Sequence, residues 1–296
     1  MVKSLALRTL RHLRLSLLLV LVSTVAGGLL APPAALAKPG VPTPAHIVLV
    51  IEENHSYNEI IGSSSAPYIN ALANSGALFT SSFAITHPSE PNYLALFSGS
   101  TQGITDDSCP HTFAGPDLGG ELLAAEKTFA GYSESMPGVG FTGCIYPKGN
   151  KALYFRKHNP WVNFTDVPSS DNLPFAGYFP TSNFSSLPTL SFVVPNINDD
   201  MHNGTIQQGD SWLQSNIDPY VQWAKTNNSL LIVTWDEDDG TQNNQVPTIF
   251  VGPMVKAGQY SETITHYNIL RTLEDAYRLP YANNSATATP ITDCWG

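Results

Sequence analysis

Cysteine is scarce in this sequence, and it never occurs at a metal-binding spacing. The 296 residues contain only Cys109, Cys144 and Cys294, with no C-x-x-C pair, so the sequence gives no support for sulfur-bound zinc or thiol redox chemistry. The N-terminal segment described below indicates export, and in an exported protein two of the three cysteines should pair. Cys109 and Cys144 lie in segments rich in glycine and proline, where a crosslink constrains the chain most. We therefore predict a disulfide between them, which leaves Cys294 unassigned.

Positive charge is also scarce after the first 37 residues. That segment holds four of the 14 bases and none of the 24 acids, so 10 bases and 24 acids remain, a net charge of −14. No basic stripe is left to neutralise phosphates, which argues against a nucleic-acid partner. Electrostatic adsorption to anionic membranes is disfavoured for the same reason.

Residues 1–37 have the layout of a secretory signal peptide. Four bases precede an apolar run from about residue 15 to 31, and Ala35-Leu-Ala37 is a small-x-small cleavage signal. An uncleaved membrane anchor is the alternative. No later apolar run is long enough to span a bilayer, so we expect a secreted product without stable membrane insertion. Residues 38–296 can bury a core as one catalytic domain, which we expect to be monomeric.

The sequence is organised around an apolar strand pattern that ends in acids. Leu230–Trp235 is apolar or β-branched, and four consecutive acids follow at 236–239. Such a run is typical of a strand buried on both faces of a parallel sheet, and ligands bind at the carboxyl ends of those strands. Four crowded carboxylates repel each other, which suggests a bound cation. A solvated acidic turn would give the same pattern.

Two further strand patterns end in polar clusters. His46–Ile51 precedes Glu53 and Asn54, and Thr189–Val194 precedes Asp199 to His202. Parallel strands bring these clusters to one edge of a sheet, where carboxylate, amide and imidazole groups suit a divalent cation. Helical patterns alternate with the strands, so we predict an α/β fold with a mostly parallel central sheet and helices on both faces. The helical patterns cover 67–75, 118–127, 208–225 (with a break at Pro219) and 265–279, while 136–186 has little periodicity and is predicted to shape the site.

Ser89 is the candidate nucleophile. Pro91 suits the first turn of a helix, which places Ser89 at a helix N-terminus, where N–H groups and the helix dipole favour an anion. A plain N-cap serine is the alternative. A serine beside a cation can lose its proton and attack phosphorus, and His202 could hold the phosphate or protonate the leaving oxygen. His87, two residues before Ser89, is a candidate substrate contact.

Together these motifs resemble the phosphoesterase family, which contains bacterial acid phosphatases and phospholipases C and belongs to the alkaline-phosphatase-like superfamily. The resemblance extends from about His46 to Trp295. It implies an alkaline-phosphatase-like fold and a secreted phosphomonoesterase that acts on a small phosphate monoester or a phosphoinositide such as phosphatidylinositol 3-phosphate. The motifs that carry it are Glu53-Asn54, Pro88-Ser-Glu-Pro-Asn-Tyr93, Asp200-Met-His202 and Thr234-Trp-Asp-Glu-Asp-Asp-Gly240.

The resemblance also implies a role for each matched position. Ser89 would form a phosphoserine, and Asn92 would hydrogen-bond the phosphoryl oxygens. His202 matches a phosphate-contacting or acid–base histidine with Asp199 or Asp200 beside it, and His266 matches a late family histidine more loosely. The implied metal ligands are Glu53, Asn54, Asp236 and Glu237.

Two departures from the superfamily pattern concern the metal. Members with two zinc ions commonly have a histidine after the late aspartate, where this sequence has Glu237. The usual acid four residues before the middle histidine is Asn198 here. Both departures favour one hard divalent cation, of undetermined identity, over a zinc pair. We expect Asp238 and Asp239 to be turn or outer residues rather than ligands.

The sequence is also compatible with two other functions. One is a phosphodiesterase of the phospholipase C type, although family members of that kind are much longer and no aromatic cage for choline is evident here. The other is a protein that binds a cation or phosphate without catalysis. Such a protein would keep the carboxylates but would have no need of Ser89.

Overall fold

The fold is built on alternating strands and helices, seen in a computed structural model that describes residues 40–296. The predicted signal peptide lies outside the described residues. The strands are β1 (His46–Glu52), β2 (Ala77–Phe79), β3 (Ser82–Phe83), β4 (Phe129–Ser133), β5 (Ile145–Tyr146), β6 (Tyr154–Phe155), β7 (Asn172–Pro174), β8 (Leu190–Val194), β9 (Ser229–Trp235), β10 (Thr248–Val251), β11 (Gly258–Tyr260) and β12 (Ile264–Thr265). The α-helices are α1 (Tyr57–Ile60), α2 (Pro67–Ser75), α3 (Ser89–Ser98), α4 (Leu118–Ala124), α5 (Ile206–Asn216), α6 (Asp218–Ala224) and α7 (His266–Tyr277).

Eight strands form the central sheet, in the order β11-β2-β10-β9-β1-β8-β4-β7. Neighbouring strands are parallel except at β10, which is antiparallel to both β9 and β2. β1 lies between β8 and β9, with Ile47 opposite Leu190 on one side and Leu230 on the other. The predicted mostly parallel α/β sheet is therefore confirmed.

The two faces of the sheet pack against different helices because side chains alternate along each strand. On β1, Ile47 and Leu49 face a core that includes Phe97 of α3 and Leu270 of α7. The intervening Val48 faces a second core that includes Leu72 of α2 and Leu213 of α5. Burial on both faces explains why the strand sequences are continuously apolar rather than alternating.

Most predicted elements are present, with two differences in detail. The stretch 78–83, whose apolar and aromatic residues also favour a single strand, is two short strands, β2 and β3, separated by a turn. The helical pattern 208–225 is divided at Ile217 into α5 and α6, with Pro219 in the first turn of α6, as expected for a residue without an N–H to donate. The segment 136–186 contains short strands and 3-10 turns.

The predicted Cys109–Cys144 disulfide is present, with the two Cα atoms 5.9 Å apart. It crosslinks two loops that the sheet does not hold directly. Cys294 is a buried free thiol. Within residues 40–296, no helix has both the length and the apolar character needed to span a bilayer.

Candidate active site

Three neighbouring strands deliver polar side chains to one edge of the sheet. Because β1 pairs in parallel with β8 and β9, the residues that follow these strands lie side by side. The backbone N–H of Glu53 donates to the carbonyl of Asp200 over 2.8 Å, and that of Asp236 donates to the carbonyl of Glu52 over 3.0 Å. The convergence expected from the strand ends is thus fixed by main-chain hydrogen bonds.

Ser89 lies within this convergence. It is the first residue of α3, and Pro88 occupies the N-cap position, so the serine is not the N-cap. Its hydroxyl lies 3.1 Å from Glu237 Oε1 and 3.3 Å from Glu53 Oε2, and the residue is only 1% exposed. The hydroxyl therefore faces two carboxylates at two different strand ends, which is the placement a nucleophile beside a cation requires.

His158 contacts the other oxygen of Glu53 and was given no role by the sequence. Its Nε2 lies 2.9 Å from Glu53 Oε1, and its Nδ1 lies 3.6 Å from Asp200 Oδ2. The ring stacks on Tyr93, whose hydroxyl donates to Glu53 Oε1 over 2.6 Å. The position lies in the irregular segment 136–186, without a motif around it. In the sequence, the position of His158 before a turn that begins with proline does not indicate that its side chain is buried in the site.

The contact between His158 and Glu53 is an ion pair with large opposing effects. Burial is the largest single effect on His158 and by itself would lower its pKa, but the charge of Glu53 and the contacts with Asp200 and Glu53 together raise this pKa to about 9. Burial would likewise raise the pKa of Glu53, but the charge and contact of His158, together with Lys157 and Tyr93, lower it below its usual range. Each partner holds the other in its charged form.

Some residues after β8 border the site, and others belong to the loop that supports it. Asp200 is fully buried and accepts from the backbone N–H of His202 over 2.9 Å. His202 is half-buried, with its ring 6.1 Å from that of His158. Asp199 instead accepts from Asn196 and Gln208. Asp200 and His202 therefore border the site, while Asp199 braces the loop behind it.

Several buried side-chain oxygens at the strand ends have no hydrogen-bond partner among the described residues. Asn54 Oδ1, Asp236 Oδ2 and Asp200 Oδ2 have no hydrogen-bond partner in the part of the chain that the structure describes. Ligand atoms of Glu53, His158 and Asp200 lie within 4.8 Å of one another. Buried oxygens without donors are costly unless a cation satisfies them. The oxygens among these atoms fit a hard divalent metal ion, while His158 is paired with Glu53.

Asn54 joins this cluster through an unusual backbone conformation. Its φ of 48° lies in the left-handed region, which asparagine tolerates better than most residues. Its backbone N–H donates to Asp236 Oδ1 over 3.2 Å. For Asp236 itself, burial and then the charges of Glu53 and Glu237 raise the pKa well above its usual value. Carboxylates crowded in this way favour a counter-cation.

Glu237 and His87 close the mouth of the site. His87 Nδ1 lies 2.8 Å from Glu237 Oε2, and its Nε2 lies 3.1 Å from Asp238 Oδ1. The His87 side chain is 45% exposed, so it stands between the buried acids and solvent. Asp238 also accepts from the backbone N–H groups of Gly240, Gln242 and Asn244, a turn role that agrees with its predicted exclusion from the ligands.

Asn92 and His266 bind structural elements together. Asn92 Oδ1 accepts from the N–H groups of Ile85 and Thr86, and its Nδ2 lies 2.8 Å from the Thr86 carbonyl and 3.4 Å from Glu237 Oε2. The amide thus holds the loop before Ser89 while still reaching the site. His266 is buried, and its Nε2 donates to the carbonyl of Trp235 over 3.0 Å. Burial lowers its pKa to about 4, so it is a neutral link between α7 and the end of β9.

The chain has the fold of proteins in the alkaline-phosphatase superfamily. It superposes with a TM-score of 0.56 on a protein of that superfamily from Vibrio parahaemolyticus, at 12% identity, covering 86% of this chain and 73% of the other. It also superposes on the phosphonate monoester hydrolase of Agrobacterium radiobacter, with a TM-score of 0.53 at 13% identity, covering 80% of this chain and 74% of that one. Identities this low show the fold alone.

Sequence similarity shows the family to which the chain belongs. Residues 63–280 match the phosphoesterase family, and the chain belongs to it. The chain is 52% identical to the phosphatidylinositol-3-phosphatase of Mycobacterium tuberculosis over 285 residues, 94% of each protein. It is 32% identical to the phosphate-repressible acid phosphatase of Penicillium chrysogenum over 72% of this chain and 54% of the fungal protein, so it spans about half the length of that relative. The protein is a hydrolase of phosphoric ester bonds, which confirms the family resemblance drawn from the motifs.

Proposed function

We propose that the protein is a secreted phosphomonoesterase in which Ser89 attacks phosphorus and forms a phosphoserine intermediate. The observation that carries this proposal is the Ser89 hydroxyl, buried between Glu53 and Glu237 at the start of α3. Its position suits proton loss to a neighbouring carboxylate during attack.

Glu53, Asn54, Asp236 and Glu237 would hold one divalent cation, with His158 paired to Glu53 and Asp200 beside His158. The unpartnered buried oxygens of Asn54 and Asp236 support this assignment. A bound cation would offset negative charge on the serine oxygen and on the transferring phosphoryl group. The carboxylate and amide oxygens favour one hard cation.

The chain's own residues would perform the remaining tasks. Ser89 Oγ bonds to phosphorus as Glu237 Oε1 accepts the hydroxyl proton, the phosphorus–oxygen bond to the alcohol breaks, and the leaving oxygen takes a proton from His202 at the rim. A water then attacks phosphorus and gives a proton to His202, the bond between phosphorus and Ser89 Oγ breaks, and Oγ recovers its proton from Glu237 as phosphate leaves. Asn92 Nδ2, which already reaches Glu237, is placed to donate to a phosphoryl oxygen, and His87 is placed to contact the substrate at the mouth.

The proposed substrates are phosphate monoesters, with phosphatidylinositol 3-phosphate among them. The support for this lipid is the 52% identity over 94% of both chains to the mycobacterial phosphatidylinositol-3-phosphatase. Export by the signal peptide at residues 1–37 is part of the same proposal, as is a monomeric catalytic domain at 38–296.

The test is hydrolysis of 4-nitrophenyl phosphate by the mature protein, with and without a chelator. Ser89→Ala is expected to lower kcat by about 10³-fold or more, as removal of a nucleophile does in other hydrolases. Ser98→Ala is the matched control, because Ser98 ends the same helix and is buried, but bonds only to backbone and Gln102. When a reaction with labelled substrate is quenched with acid, labelled phosphate should be trapped on the wild type and on Ser98→Ala, but not on Ser89→Ala.

Three outcomes would count against the proposal. Wild-type activity in Ser89→Ala would remove the nucleophile assignment. Full activity after exhaustive chelation would remove the cation. Release of phosphocholine from phosphatidylcholine, without release of phosphate from monoesters, would favour the phosphodiesterase alternative.

A further inference from the structure

A cavity of about 310 Å³ lies beside the site and has no part in the mechanism above. Its walls are mostly apolar, formed by an aromatic ring, an isoleucine and the disulfide, with one ion pair at the edge. The lining residues are Asp107, Cys109, Cys144, Ile145, Phe155 and Lys157.

The cavity is joined to the reacting groups through its charged edge. Asp107 Oδ1 accepts from the backbone N–H of Glu90, the residue after Ser89, over 3.0 Å. Asp107 Oδ2 accepts from Lys157 Nζ over 2.7 Å. Lys157 immediately precedes His158 in the chain, so both ends of this ion pair belong to segments that also position Ser89 and Glu53.

Phe155, the aromatic residue of the cavity wall, also lies next to a residue of the site. The ring of Phe155 lies 6.1 Å from that of His158, which in turn contacts Glu53. Phe155 is only half-buried, so part of its ring is free to contact a ligand. Since Asp107 and Lys157 satisfy each other, the cavity offers apolar contact rather than a free charge.

The size and lining of the cavity indicate what it can hold. Ligand pockets in proteins range from about 300 to 1,000 Å³ and are lined mainly by apolar groups. This cavity is therefore at the small end, with room for a single ring. Asp107 in the cavity wall bonds to the N–H of the residue that follows Ser89, so the cavity lies within reach of an alcohol attached to a phosphate at Ser89.

We propose that this cavity binds the alcohol part of the substrate and that Phe155 determines specificity, favouring monoesters whose alcohol carries a ring over those of short-chain alcohols. The inference rests on the proposed phosphomonoesterase function. The Cys109–Cys144 disulfide holds the loop that faces Phe155, so it shapes this subsite as well as the fold.

The test compares benzyl phosphate with ethyl phosphate, whose alcohols are similar in acidity, so that the chemical step is matched. Phe155→Ala is expected to raise KM for benzyl phosphate about tenfold, the loss expected when one half-buried ring contact is removed. KM for ethyl phosphate should stay within about twofold of wild type. Phe155→Leu, which keeps an apolar wall, should raise KM for benzyl phosphate only about threefold.

Two further variants make the result decisive. Tyr178→Ala is the control, because Tyr178 is 52% exposed and lies outside the cavity, and it should change neither KM. Ile145→Ala shortens another wall and should raise KM for benzyl phosphate even if Phe155→Ala does not fold. Equal KM changes for the two esters, or a shared fall in kcat at unchanged KM, would overturn the subsite and make Phe155 a support for His158. If the wild type hydrolyses neither ester, the proposed function itself fails, a result distinct from the loss of selectivity.

Discussion

Replacement of His158 by glutamine should destabilise the protein more than any other single histidine change of this kind. The substitution removes a cation that lies 2.9 Å from Glu53 Oε1 in a fully buried position. Glutamine keeps an uncharged polar group of similar reach, so the loss is mainly of charge. Glu53 would then be a buried carboxylate with acids around it and no positive partner.

The expected cost follows from the contacts that remain. Removing one partner of a buried ion pair typically costs about 3–5 kcal/mol. Glu53 keeps the 2.6 Å hydrogen bond from Tyr93 and the contact with Ser89, so we place His158→Gln near the lower end, at about 3 kcal/mol. His55→Gln is the matched control. His55 lies 3.0 Å from Glu59 on a partly exposed surface, where such a pair contributes about 0.5 kcal/mol.

The assay is equilibrium urea unfolding at pH 6, where a histidine with a raised pKa is charged, first with a chelator and then with a divalent cation. If the cation binds beside Glu53, it should restore part of the lost stability, because a ligand that binds only the folded state stabilises it. A His158→Gln protein within about 1 kcal/mol of His55→Gln in chelator would refute the ion-pair reasoning, since it would place the pair in the range of surface pairs.

Three further changes test other parts of the structure. Replacing Cys109 and Cys144 together by serine should lower the free energy of unfolding by about 4 kcal/mol for a crosslink across 35 residues. Urea titration against the wild type measures this, and an unchanged midpoint would contradict it. Phe97→Ala, within the core between Phe129 and Phe192, should cost about 3–5 kcal/mol, and calorimetry showing less than 1 kcal/mol would mean the core collapses around the cavity. Burial raises the pKa of Glu274 to about 7, which exceeds its unfolded value of about 4.5. The neutral form of Glu274 therefore stabilises the fold at low pH. This contribution to the free energy of unfolding is lost as pH rises through 7. Glu274→Gln should therefore reduce the loss of stability between pH 5 and 8 by about 1–2 kcal/mol, and an identical pH slope in the variant would refute this.

The fold was largely predictable because its signals are local and consistent. Continuous apolar runs at β1, β8 and β9, each followed by polar residues, could only be buried parallel strands, and the pairing of β1 between the other two brings their ends together. The antiparallel direction of β10 was not predictable, because a four-residue apolar strand gives no indication of its direction.

Within the site, the prediction was strongest where motifs follow strands. Glu53, Asn54, Asp236 and Ser89 occupy one edge of the sheet, and their chemical roles remain predictions. Roles that depend on side-chain direction were less accessible. Asp199 points into the supporting loop, and nothing in its sequence context separates it from its neighbour Asp200.

The sequence by itself determined the class of fold, the Cys109–Cys144 disulfide and the family, because strand periodicity, loop composition and motif spacing are written along the chain. Only the tertiary structure decided that His158 belongs to the site and that the wall containing Phe155 stands beside it. Both residues lie in a segment without periodicity, more than 60 residues from Ser89. Their contacts with Glu53 and the cavity exist only because long-range packing folds that segment over the acidic end of β1.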